Sequence, residues 1–236
     1  MGWLPMGSDV DVSAVARVLA DPARVRMLLA LGEGRQLAAG ELAALAGVSP
    51  SAASFHLARL IEAGLLRVHQ RGKHRYFEIS DPAVPRAVEA LAVLAPPAPV
   101  RSLRQSRAGQ AVRFARICDG HLAGRAGVAL LRAMLAEGLL AEAAGGCMVT
   151  TTGTRRLGEL GVHLPPAAGP AATAVAPCHP DWSENAHHLA GPLAEALARR
   201  LLNLGWISHR RSGRAVRLTP AGFAGLRDYF GIDLTT

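Results

Sequence analysis

The chain has 236 residues, half of them hydrophobic but only 4% aromatic and 19% charged. That length holds one or two domains around aliphatic cores of Ala, Leu and Val. No apolar run reaches the ~18–20 residues of a membrane helix, since Arg132 and Glu137 break the oiliest stretch. Residues 1–12 lack the basic flank of a signal peptide, and three cysteines (Cys118, Cys147, Cys178) make no disulfide scaffold. The expected setting is a reducing cytoplasm with free thiols and no membrane partner. The net charge of +8 suits a polyanion only where it is clustered.

In chain order, Ser13 to Leu19 is a short apolar helix. Asp21 caps a second helix that has Pro22 in its first turn and runs to Leu31. A third covers Ala39 to Ala46 and stops at Gly47. Ser49 caps a fourth, with Pro50 at its first position and its end at Gly64. Leu65 to Gln70 and His74 to Ile79 read as strands around an Arg71-Gly72-Lys73 turn. Asp81-Pro82 opens a helix to Leu94 whose apolar face holds Val84, Val88 and Leu91. Three prolines and three arginines without an acid then mark residues 96–110 as a linker. The expected organisation is a helix-turn-helix domain over 1–95, the linker, and a C-terminal domain over 111–236. Their net charges are +1, +3 and +4.

The helix–glycine–turn–helix spacing followed by a basic hairpin is a winged helix. Its residues resemble the ArsR/SmtB family of dimeric bacterial repressors. The matching features are Asp21-Pro22, Ser49 before the recognition helix, Ser54-x-His56-Leu57 within it, Ala63-Gly64-Leu65 after it, and a wing ending in Tyr76. The resemblance spans residues 12–95. It implies a homodimer formed by the first and last helices of this domain, bound to a double-stranded DNA operator with two recognition helices in successive major grooves. Repression is likewise carried over from the family.

The recognition helix should present Ser51, Ser54, Phe55, His56 and Arg59 outward, after the Ser49 cap, with Leu57 and Leu60 inward. Arginine pairs bidentately with guanine, and Ser and His bond several base edges. Arg71, Lys73 and Arg75 on the wing should meet phosphates. From Arg59 to Arg75 there are five basic residues and one acid. His56 could instead pack or cap within the fold.

The C-terminal region repeats itself. His121-Leu122-Ala123-Gly124 recurs 67 residues on as His188-Leu189-Ala190-Gly191. Gly138-Leu139-Leu140 recurs as Gly205-Trp206-Ile207. Thr150-x-x-Gly153 recurs as Thr219-x-x-Gly222 at an offset of 69. The expected fold is therefore mainly helical, with small hairpins. An α+β C-terminal domain would be built from two helix–hairpin–helix repeats.

A polar cluster precedes each repeat helix, which puts both at or before helix N-termini. If these converge, Cys118, His121, Cys178 and His188 form a Cys2His2 set for a thiophilic metal or metalloid ion. Asp119, Asp181, Glu184 and His187 stand in reserve. Capping by Asp119 and Asp181 is the competing reading. Cys147 reads as a core residue, and Trp182 as a core anchor or the wall of a ligand pocket.

The family's usual sensing positions are bare here. The helix before the recognition helix has no cysteine, and residues 82–94 have no histidine. Any effector should therefore act on the appended domain. A Cys118–Cys178 dithiol switch, an organic ligand near Trp182, and a purely structural or partner-binding domain remain alternatives. No G-x-S-x-G, P-loop or G-x-G-x-x-G after a strand is present, so an enzyme is not expected.

Overall fold

The computed structural model describes residues 10–32, 34–100, 102–163, 175–210 and 213–235. Two compact units divide between Pro85 and Arg86, earlier than the expected boundary after residue 95.

In the first unit, α1 (Val12–Leu19) is capped by the Asp11 carboxylate, which accepts from the Ala14 N–H. In α2 (Pro22–Leu31) the Asp21 carboxylate accepts from the Ala23 and Arg24 N–H groups. Pro22 loses nothing at the helix start, where its missing N–H would have no intrahelical partner. The short strand β1 (Leu37–Ala38), which carries no turn signal in the sequence, leads into α3 (Ala39–Ala46). Gly47 ends α3 in the left-handed region at φ 71°. Ser49 then accepts from the Ala52 N–H to cap α4 (Pro50–Glu62). Strands β2 (Leu66–Arg71) and β3 (His74–Ile79) form an antiparallel wing, with β1 added in the order β1-β3-β2. Arg71 pairs with His74, so Gly72-Lys73 alone makes the turn, one residue tighter than expected. Met27, Leu28, Leu31, Leu42, Ala53, Leu57, Leu60, Leu66 and Phe77 are buried in this unit. Each large aliphatic among them contributes roughly 1.5–3 kcal/mol.

Helix α5 (Ala83–Leu94) opens at the end of the first unit and runs into the second. Pro96, Pro97 and Pro99 hold the chain out of regular structure as far as residue 100. Ser102 then caps α6 (Leu103–Phe114), so part of the expected 96–110 linker is helix.

Strands β4 (Arg116–Cys118) and β5 (His121–Ala123) form a hairpin, followed by α7 (Arg125–Ala136), the hairpin of β6 (Leu140–Ala143) and β7 (Gly146–Val149), and α8 (Thr151–Glu159). After β8 (Val175–Ala176) a comparable order runs through β9 (Cys178–Asp181), β10 (Ala186–Leu189), α9 (Gly191–Asn203), β11 (Ile207–His209), β12 (Val216–Leu218) and α10 (Pro220–Phe230). The polar clusters expected at helix N-termini are thus β-hairpins. Asp119 and Gly120 both take positive φ, 50° and 83°, the backbone of a two-residue hairpin turn.

The two stretches interlock. Strand β8 pairs with β7, while Arg116 bridges Ala215 beside β12. Helix α7 packs on β10 and α9 on β5. The core is aliphatic and continuous across both, including Leu122, Leu130, Met134, Leu139, Leu189, Leu197, Leu201 and Phe230. Thr150 Oγ1 donates to the Gly138 carbonyl at 2.7 Å and accepts from the Gly153 N–H at 2.9 Å. Thr219 does the same with Gly205 at 2.7 Å and Gly222 at 3.0 Å. A Cβ on Gly153 or Gly222 would fall 2.0 Å from the carbonyl oxygen of Leu139 or Trp206. Among the described residues no helix is long and apolar enough to cross a membrane.

Candidate nucleic-acid interface and candidate effector site

Helix α4 is one-sided. Ala53, Leu57 and Leu60 are buried, while Ser51, Ser54, Phe55 and Arg59 are exposed. Ser49 is bound to its own cap and to the Ser51 hydroxyl at 3.1 Å. Arg59 lies 5.5 Å from the Phe55 ring centroid and pairs with Glu62 at 3.1 Å. An exposed pair of this kind contributes little, so the guanidinium can exchange Glu62 for a base edge.

His56 departs from the expected outward set. Its side chain is 14% exposed, with Nδ1 3.8 Å from the Asp21 carboxylate. One step along a helix turns a side chain by about 100°, which carries position 56 from the face of Phe55 towards the start of α2.

The wing holds Arg71, Lys73, His74 and Arg75 exposed. Arg71 donates to Gln36 Oε1 at 2.6 Å, and Gln36 donates to Glu78 Oε2 at 2.6 Å. His69 meets the other Glu78 oxygen at 2.6 Å. The hydrogen bond from Gln36 leads the contacts that hold the Glu78 carboxyl below its usual range. This chain fixes the root of the wing and leaves its tip cationic.

The second unit gathers its polar groups in the two first hairpins. Cys118 and His121 are direct partners across the β4–β5 turn, and His179 and His188 are partners across β9–β10. The donor atoms of Cys118, His121 and His188 all lie within 4.8 Å of one another, and all three residues are buried. His121 Nε2 and His188 Nε2 are 3.1 Å apart. His121 Nδ1 lies 3.2 Å from the Asp119 carbonyl oxygen. His188 Nδ1 lies 3.0 Å from Asp181 Oδ2, close but not aligned as a hydrogen bond. The sequence reading missed His179, whose ring centroid is 5.4 Å from that of His121.

Cys178 does not join this set. Side chains alternate along a strand, so with His179 on the face of His188, Cys178 takes the other. Its Sγ is 3.7 Å from that of Cys147. The expected Cys2His2 set and the Cys118–Cys178 dithiol are both replaced by this arrangement. Of the reserve ligands, Glu184 sits in the β9–β10 turn rather than one helical turn from His188. His187 is exposed on the face away from His188.

Asp181 is the anchor of the cluster. Its carboxylate accepts from the Gly124 N–H at 2.7 Å, from Arg116 at 3.1 Å and from the Ser183 hydroxyl at 2.6 Å. Burial pushes its carboxyl up, but His188, Arg116, Ser183 and Gly124 together hold it far below the usual range. Burial pushes the Cys118 thiol up to about 12. It pushes His121 down to about 3, with His188 and His179 adding to the effect. Arg116 is wholly buried and also faces Glu89 of α5 at 3.5 Å. Trp182 is half-buried. Arg113, Arg116 and Arg214 lie 5.3, 4.7 and 5.6 Å from its ring, and its Nε1 donates to Glu89 at 3.1 Å. A cavity of about 390 Å³ lies by α7 and residues 231–234, with Glu184 in its lining but not Trp182.

Residues 19–69 match a family described as a helix-turn-helix domain. The HTH-type transcriptional regulator YdfF of Bacillus subtilis (strain 168) is 38% identical over 212 residues, 90% of this chain and 93% of that protein. Among solved structures, the AntR antimony-specific transcriptional repressor is 31% identical, covering 40% of this chain and 93% of its own, with a TM-score of 0.32. The homodimeric winged helix-turn-helix domain of Mb0332 from Mycobacterium bovis, a possible ArsR-family regulator, is 25% identical. It covers 38% of this chain and 89% of its own, with a TM-score of 0.32.

Proposed function

The chain belongs to the HTH-type transcriptional regulators, with a winged helix of the ArsR kind, and from that premise we propose that it is a dimeric repressor released from its operator by an effector held in the C-terminal unit. The observation that carries the DNA reading is the exposed face of α4, with Ser51, Ser54 and Arg59, beside a wing tip of Arg71, Lys73 and Arg75. Arg59 reads a base edge, and the wing cations set affinity through phosphates.

Dimerisation draws on two uncovered apolar faces. Helix α1 buries none of its residues, and Val12 is 61% exposed. Helix α5 leaves Leu91 and Leu94 exposed at 51% and 82%. Two such helices per chain suit a two-fold interface, which would space two recognition helices one helical turn of DNA apart.

The C-terminal unit is a duplicated pair of hairpin–helix–hairpin–helix halves. The matched Thr150/Gly153 and Thr219/Gly222 contacts and the reciprocal packing of α7 and α9 support this. The shared interior of the two halves is where an effector acts, because Arg86 and Glu89 of α5 are bonded to Asp119 and Arg116 at its edge. An effector shifts the equilibrium only by binding the DNA-free form better.

Selection of bound sequences from random duplex DNA by the full-length protein tests this reading. A two-fold symmetric site is expected, and Arg59→Ala should lose preference at one base pair per half-site. Recovery of no preferred sequence would reject it.

A further inference from the structure

When both imidazoles are neutral, His121 and His188 have no proton left for the contact between their Nε2 atoms. The Asp119 carbonyl can only accept, so His121 carries its proton on Nδ1. The Asp181 carboxylate beside His188 Nδ1 places the proton there too. Both Nε2 atoms are then lone-pair acceptors, and they face each other at 3.1 Å. Two such lone pairs in a buried site repel unless a cation is shared between them. The separation suits an ion: two imidazole nitrogens about 2.05 Å from a tetrahedral metal lie about 3.3 Å apart.

Cys118 supplies a third donor in the same cluster. His121 Nδ1 has a carbonyl partner of the kind that orients metal-bound histidines, and the Asp181 carboxylate lies 3.0 Å from His188 Nδ1. One thiolate with two imidazoles is a borderline donor set, suited to a dication of the zinc type. A metalloid would want more sulfur than this site holds, because Cys147 and Cys178 turn to each other.

We propose that Cys118, His121 and His188 bind one zinc-type dication, with His179 beside the fourth position, and that this ion is the effector. The second half rests on the regulatory reading above. The path to the DNA-binding unit is short in sequence. The Cys118–His121 turn carries Asp119, whose carboxylate accepts from Arg86 at 2.5 Å, and Arg86 lies on α5.

The test is anaerobic cobalt(II) titration of full-length protein purified with a chelator, followed by zinc(II) displacement. One cobalt per chain is expected, with a thiolate-to-cobalt charge-transfer band and the strong visible bands of a four-coordinate site. Cys118→Ser should abolish the charge-transfer band, and His188→Gln should weaken binding at least about tenfold, with melting curves confirming that both variants fold. Absence of these bands in the unaltered protein, or their persistence in Cys118→Ser, overturns the site. Operator affinity measured in the same samples should fall at least about fivefold with zinc(II). Stoichiometric metal with unchanged operator affinity would leave the site standing and overturn its role as effector.

Discussion

His121 and His188 stand 67 residues apart in sequence and 3.1 Å apart at their Nε2 atoms. His121 opens β5 directly after its turn, His188 is the third residue of β10, and each strand is covered by the other stretch's long helix. The interlocking brings the two rings together, so neither hairpin alone would make the cluster. A buried polar site at such a junction responds to anything that shifts one half against the other.

The division of labour at the DNA face is open to a mutational comparison. Arg59→Ala should cost roughly 1–3 kcal/mol on the preferred site and relax specificity at one base pair. Lys73→Ala should weaken all sequences alike and reduce the salt slope by about one. Equilibrium binding to specific and scrambled duplexes across a salt series separates the two. A uniform loss from Arg59→Ala would remove it from base reading.

Much of this face is legible in the sequence because the winged helix is built from local signals. Asp21-Pro22, Gly47, Ser49-Pro50 and Gly64 each act through the backbone of their own neighbourhood. The outward reading of His56 overlooks its place one helical step from Phe55, on the side of α4 that faces Asp21 at the start of α2. The buried cluster was half legible. The Asp119-Gly120 pair is a strong hairpin signal, which placing residues 116–121 at or before a helix N-terminus overlooks. The four residues 182–185 between Asp181 and its partner Ala186 hide the second hairpin. Strand alternation then decided what spacing could not, sending Cys178 to Cys147 and bringing His179 beside His121.

The proposed duplication predicts equal penalties at equivalent glycines. Gly153→Ala and Gly222→Ala each drive a methyl into a carbonyl oxygen 2.0 Å away, an overpacking that costs about 1–3 kcal/mol or more. Urea unfolding should show comparable losses for both. A large loss at one and none at the other would argue against equivalent halves.

Arg116 should be hard to replace. It is fully buried between Asp181 and Glu89. Arg116→Met leaves two carboxylates without this cation, and breaking a buried pair costs about 3–5 kcal/mol. Thermal unfolding should place the loss in the C-terminal unit while the winged helix keeps its transition.

The wing root should titrate as a unit. Glu78 is held below its ordinary value by Gln36 and His69, so its contribution to stability is present above the unfolded-state pKa and is lost as pH falls through the folded one. A carboxyl-detected NMR titration should place its midpoint below that of a free glutamate. Gln36→Ala should move the midpoint up, and an unchanged value would mean that the hydrogen bond is not formed.

Oxidation discriminates between the two possible thiol pairings. With diamide as the two-electron oxidant, the Cys147 and Cys178 thiols lose their protons and join as a disulfide. Cys118 should stay free. Peptide mapping reads the pairing directly, and a Cys118–Cys178 linkage would contradict the strand alternation described above.

The central claim is a two-fold regulator that reads DNA through paired winged helices, and the mass of the complex tests it most directly. Native mass spectrometry or analytical ultracentrifugation of the full-length protein on its selected duplex should give two chains per site, with footprints on two half-sites one helical turn apart. A single chain on a single half-site, saturating without a second, would contradict it.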